Sequence, residues 1–270
     1  MPEIWIDPDY RRLFNPKTIF EDMQNMQGEV FRTGKGRVTL RFQKKKRSFF
    51  LKRHSGIGWG EIFKDLLQGR LPILGARNEW HALERLQILN ISTLKPVAFG
   101  SRGRNPARQQ SFLVTEELAA TTSLEDLAKT WQQREDYAQI KRAIILKLAN
   151  LAQRMHRNGM NHRDFYICHI HVPNRWLDEP QGLPELFVID LHRAQIRDQV
   201  PLRWVVKDIG SLFYSSLDAG LTMRDYFRFM QAYTGKGVRE TLSHDRDFWL
   251  DVERRAKALL ARCPEQPQAA

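Results

Sequence analysis

The sequence predicts an α+β fold, a small antiparallel sheet lobe of about five strands with a helix on it, followed by a larger, mainly helical lobe. Two periodicities predict it. Before residue 118 the apolar residues alternate with polar ones, as in Val38, Leu40 and Phe42 on one face of a strand. After Leu118 they recur at helical spacing, most clearly as Ile140, Ile144, Leu148, Leu151 and Met155.

The elements follow in order. Val30 and Arg32 alternate with Phe31 and Thr33, and Thr33-Gly34-Lys35-Gly36 has the composition of a hairpin turn into the strand of Val38. Phe49-Phe50-Leu51-Lys52 makes a third strand. Helices are expected from Trp59 to Gln68 and from Arg77 to Leu89, the second with Trp80, Leu83 and Leu86 at three-residue spacing. Strands from Lys95 to Gly100 and from Ser111 to Glu117 flank a loop rich in Gly, Arg and Asn. The longest helix runs over 135–157 and ends at Asn158-Gly159, a pair suited to a C-cap. Further helices are expected at 202–217, 222–233 and 243–262, with a frayed polar tail after Cys263. The chain thus reads as one domain over 1–270, with lobes 1–117 and 118–270.

Hydrophobic residues at 42% and charged residues at 27% describe a globular protein with length enough for a core. The net charge of +12 favours acidic partners: nucleotides, phosphorylated glycans, nucleic acid or anionic lipid. Nucleic acid is not expected, because the tryptophans are scattered and form no stacking platform. Cys168 and Cys263 are too few for a disulfide framework. Neither a leader nor an apolar run of membrane-spanning length occurs, so a cytoplasmic protein is expected. Lys44-Lys45-Lys46-Arg47 can still attract it to an anionic membrane, at about 1 kcal/mol per charge.

The chemistry is concentrated in His162-Arg163-Asp164 and in Leu186-Phe187-Val188-Ile189-Asp190. Asp164 follows a helix-ending glycine in a tight polar turn, where a carboxylate can accept a hydroxyl proton. Asp190 ends an apolar strand and needs a partner; a metal bridging phosphates supplies one, and capping the next turn is the plainer alternative. Upstream, Lys52 on a strand and Glu79 on a helix match the pair with which phosphotransferases grip nucleotide phosphates. Taken singly each is an ordinary surface residue; in this order they form a constellation. His162 is expected to pack and hydrogen-bond within its turn. Asp208, in an otherwise apolar helix, is expected to tie down backbone amides of a neighbouring loop. Gly28, Gly34 and Gly36 do not fit G-x-G-x-x-G and read as turn glycines, although Lys35 can add positive potential over a nucleotide.

On these motifs, together with Leu71-Pro72-Ile73-Leu74-Gly75-Ala76-Arg77-Asn78-Glu79-Trp80 and Ile189-Asp190-Leu191-His192-Arg193, the chain resembles the protein-kinase-like superfamily. More closely it resembles the bacterial lipopolysaccharide core heptose kinases. The resemblance implies ATP and Mg²⁺, Asp164 as base, Lys52 on the phosphates paired with Glu79, and Asp190 on metal. Lys35 and Glu117 are added as expected ATP contacts. It also implies a core glycolipid acceptor, work at the inner face of the inner membrane, and acyl carrier protein as a partner.

Departures from protein kinases are informative. His169 stands where kinases place the Asn of the second metal, and imidazole suits Mg²⁺ poorly. Either one metal suffices or His169 meets phosphate or substrate instead. No Phe-Gly follows Asp190, and little chain separates it from Asp208, which leaves little room for a peptide-laying segment. A sugar hydroxyl is therefore the expected acceptor; a protein (tyrosine) kinase and a catalytically silent scaffold are the alternatives.

Overall fold

The computed structural model describes residues 2–34, 36–67 and 73–262. Lys35, Gln68, the Leu71-Pro72 start of the motif above and the tail from Cys263 lie outside the described residues. The chain divides into two compact units: Met1–Arg85 with Leu94–Ala119 and Leu191–Arg193, and Leu86–Thr93 with Ala120–Asp190 and Ala194–Ala270.

The first unit contains β1 (Glu3–Ile6), α1 (Ile19–Asn25), β2 (Glu29–Gly34), β3 (Arg37–Lys44), β4 (Arg47–His54), α2 (Gly58–Leu67), the first part of α3 (Arg77–Ile88), β5 (Pro96–Arg102) and β6 (Gln110–Glu116). Its strands form one antiparallel sheet in the order β1-β5-β6-β4-β3-β2. The sheet has six strands where five were expected. The added strand β1 is four residues long, too short to show alternation, and its partner β5 lies far along the chain. On one face, Leu40, Phe42, Phe49, Leu51, Phe112 and Val114 pack with Tyr10, Phe14, Ile19, Phe20 and Met23 into a buried core. This core is why the segment from Ile6 to Met23 folds at all: its apolar residues cover the sheet. Gly36 closes the β2–β3 turn at φ +64, where a Cβ would stand 2.1 Å from the Gly56 carbonyl oxygen. Only glycine fits there.

The second unit contains β7 (Thr121–Ser123), α4 (Leu124–Thr130), α5 (Tyr137–Arg157), β8 (Met160–Asn161), β9 (Ile170–Pro173), α6 (Asn174–Asp178), β10 (Phe187–Val188), β11 (Gln195–Ile196), α7 (Leu202–Ser215), α8 (Met223–Thr234), α9 (Val238–His244) and α10 (Arg246–Leu260). The helix expected over 243–262 is α10, set off from the preceding α9 at Asp245, whose carboxylate is held by the Lys236 ammonium at 2.8 Å. Helix α4 was not anticipated, although Ser123-Leu124-Glu125-Asp126 carries an N-terminal signal: the Ser123 Oγ accepts from the Asp126 amide at 3.0 Å. Two short ladders, β10-β9-β7 and β11-β8, hold the loops between α5 and α7 in register.

Candidate active site

In the sheet unit, strand register sets the position of Lys52. Trp5, Phe99, Leu113, Lys52 and Thr39 are directly opposed across β1, β5, β6, β4 and β3, so they share the face turned away from the core described above. Trp80 of α3 stacks on Phe99 at 4.4 Å. That contact lays α3 along this face and turns the preceding residue, Glu79, toward Lys52. The Lys52 Nζ donates to Glu79 Oε1 at 2.5 Å, with side-chain exposures of 16% and 3%. Such burial holds an ion pair in one geometry, because separating it would strand a desolvated charge. His54 lies two residues on. Burial, with like charge from Arg37 and Lys52, pushes its imidazole down to about 3. It is a neutral, buried histidine beside the lysine, which its place in the alternation could have indicated. Glu117 is placed elsewhere: past β6 its carboxylate pairs with Arg41 Nη1 at 3.1 Å.

In the helical unit the motif residues are held by a buried acid. Asp208 of α7 is fully buried and accepts from the amides of His162 at 2.6 Å and Arg163 at 2.7 Å, with the His156 Nε2 at 3.3 Å. These bonds fix a turn in which Arg163 adopts φ +75, a conformation that strains a non-glycine residue by about 1 kcal/mol or more. From this anchored turn a chain of hydrogen bonds reaches Asp190. The His162 Nε2–H donates to the Ile189 carbonyl at 2.9 Å, and the Ile189 amide donates to the His169 carbonyl at 3.0 Å. The His169 Nδ1–H donates to the Asp164 carbonyl at 2.8 Å, while its Nε2 lies 3.7 Å from Asp190 Oδ2. Asp190 is itself left-handed, at φ +60. His162 stacks nearly parallel on His169, with centroids 5.9 Å apart.

The electrostatics of the two histidines differ. Burial drives the wholly enclosed His162 imidazole down, against the opposing pull of Asp208, so it is a neutral ring with its proton on Nε2. Burial also opposes charge on His169, but the Cys168 side chain, the Asp164 carbonyl and Asp190 outweigh it and raise the ring to about 9. Its Nδ1–H is committed to the Asp164 carbonyl, which leaves Nε2 as the ring atom turned toward Asp190. Among the described residues no group of three or more His, Cys, Asp or Glu side chains could hold a metal ion. An ion that binds mainly through phosphates and water, with one or two carboxylates, is compatible with Asp190. Sequence reasoning missed His156 and Tyr233, whose 2.8 Å contact braces the far side of Asp208; no local pattern marks a contact made so far along the chain.

Comparison with known proteins places the chain in a family. The profile of the lipopolysaccharide kinase (Kdo/WaaP) family matches residues 21–233. The lipopolysaccharide core heptose(I) kinase WaaP of Pseudomonas aeruginosa is 45% identical over 95% of this chain and 96% of its own length. The protein of the same name from Escherichia coli K12 is 44% identical over 86% of this chain and 87% of its own. A solved structure of WaaP in complex with acyl carrier protein superimposes with a TM-score of 0.80 at 40% identity, covering 95% of this chain and 99% of that one. The chain belongs to the lipopolysaccharide kinase (Kdo/WaaP) family, a family of phosphotransferases.

Proposed function

We propose that this chain transfers the γ-phosphate of ATP to a heptose hydroxyl of the lipopolysaccharide inner core. The observation that carries the reading is the hydrogen-bonded chain from Asp208 through His162, Ile189 and His169, which ties Asp164 and Asp190 into one rigid assembly. Asp164 orients the acceptor hydroxyl and takes its proton. The Lys52 ammonium, held by Glu79, neutralises nucleotide phosphate charge. Asp190 would hold Mg²⁺, which when bound offsets the charge of the phosphates. His169, turned toward Asp190, orients that carboxylate or meets phosphate. Incubation with ATP and purified core glycolipid is expected to place a phosphoester on heptose, and Asp164→Asn is expected to remove it. Faster labelling of protein than of glycan, or an Asp164→Asn variant with full turnover, would sink the reading.

Two surroundings follow from it. Among the described residues no helix is long and apolar enough to cross a membrane. Reversible contact with an anionic bilayer is supported by the basic run Lys44–Arg47 and by α2, which exposes Trp59, Phe63, Leu66 and Leu67. Separately, helices of the second unit line a cleft of about 550 Å³, open to solvent, whose side chains are almost wholly apolar and include Trp131, Leu148, Leu212, Phe229 and Trp249. Its size and lining support acyl carrier protein as a partner, with the acyl chain in the cleft. Acylated carrier should then raise the melting temperature and unacylated carrier should not; equal effects would exclude the cleft.

A further inference from the structure

Four cationic side chains surround one indole in the helical unit. Arg163 Cζ, Lys207 Nζ, Arg203 Cζ and Arg197 Cζ lie 4.9, 5.1, 5.6 and 5.8 Å from the Trp204 ring centroid. Significant cation–π contacts occur about once per 70–80 residues, so four on one ring is a marked concentration. Arg197 gains no compensating charge from its hydrogen-bond partners, which are amide oxygens: Asn161 Oδ1 at 2.7 Å and Gln195 Oε1 at 2.6 Å. Arg203 is exposed and makes no ion pair among the described residues. Trp204 stands in the first turn of the 14-residue helix α7, whose N-cap, Pro201, provides no side-chain cap. The positive end of the helix dipole adds to the same field. Arg163 immediately precedes Asp164, and Asp208 fixes its backbone.

We propose that the cations on Trp204 form a subsite for an oxyanion of the acceptor, a carboxylate or a phosphate carried by a sugar next to the one being phosphorylated. The indole splays the guanidinium groups and limits their motion, so little ordering is needed when the anion arrives. The role is positioning and specificity: the subsite holds the acidic neighbour while Asp164 meets the hydroxyl. It rests on the glycan-kinase reading above and adds to it which part of the acceptor is recognised, and by what.

The test uses the full chain, with Arg203→Ala, Lys207→Met and the double variant, on three acceptors: core glycolipid, the same glycolipid dephosphorylated, and the same with its sugar carboxylates reduced. For the double variant the acceptor KM should rise about 10-fold or more with the ATP KM within about twofold. Arg203→Lys with Lys207→Arg should restore most of it. Wild-type protein should lose a similar factor on whichever acceptor lacks the recognised group, and the double variant should lose little more on that acceptor. An acceptor KM unchanged in the double variant, or a penalty equal on anionic and neutralised acceptors, overturns the subsite. Calorimetric binding of the glycolipid separates the two readings. If wild-type protein transfers no phosphate to heptose but its binding still collapses in the double variant, the subsite stands and the heptose kinase reading falls.

Discussion

The Lys52–Glu79 pair and the Asp164–Asp190 assembly reach defined geometry by opposite means. The pair is made by regular elements: strand register fixes which face Lys52 occupies, and one aromatic stack orients the helix that carries Glu79. The acids are held by irregular chain, with two non-glycine residues, Arg163 and Asp190, at positive φ and short ladders of two to four residues. There the order comes from buried polar groups, above all Asp208, and not from periodicity. Precision in a loop therefore depends on a few hydrogen bonds whose loss cannot be shared among neighbours.

Asp164→Asn should reduce phosphate transfer by about 10³-fold or more while the melting curve stays in place, since the carbonyl that receives His169 remains. Glu79→Leu should cost about 3–5 kcal/mol in denaturant unfolding by removing the partner of a buried ammonium, and Lys52→Met with Glu79→Leu should recover most of that stability without recovering activity. A double variant as unstable as the single one would mean that the pair is not the organising contact. Asp208→Ala should cost about 2–4 kcal/mol and lower turnover as well, because two buried amides lose their acceptor. Full activity in that variant would contradict the idea that one acid fixes the turn.

A smaller effect comes from His54. Its folded-state value is about 3, below the 6.5 of the unfolded chain, so the unfolded state takes up the proton first on acidification. Stability present above pH 6.5 is lost as pH falls toward 3, amounting to about 2 kcal/mol by pH 5. Unfolding of wild-type protein and His54→Phe between pH 7 and 5 measures it, and parallel curves would place His54 in water.

Much of both regions could be read from the text of the chain. The strands of Leu40, Leu51 and Val114 and the helix of Ile140 to Met155 were legible because each buries one face at a regular spacing. Strand β1 and helix α1 were not, because four and seven residues show no period and their burial depends on the sheet they cover. Asp164 and Asp190 stood out by motif. The hydrogen-bonded path between them did not, nor did the contact of His156 with Tyr233 behind Asp208.

Local spacing and residue type were enough to read a sheet lobe followed by a helical lobe, the candidate chemistry and the family resemblance. Contacts between distant residues add how tightly Glu79 and Lys52 are buried together, that Glu117 pairs with Arg41, that His169 turns its Nε2 toward Asp190, and that four cations gather on Trp204. Each of these depends on burial and on contacts between residues distant in the chain, and the energy of a charge or a hydrogen bond is set by those surroundings rather than by its neighbours in sequence.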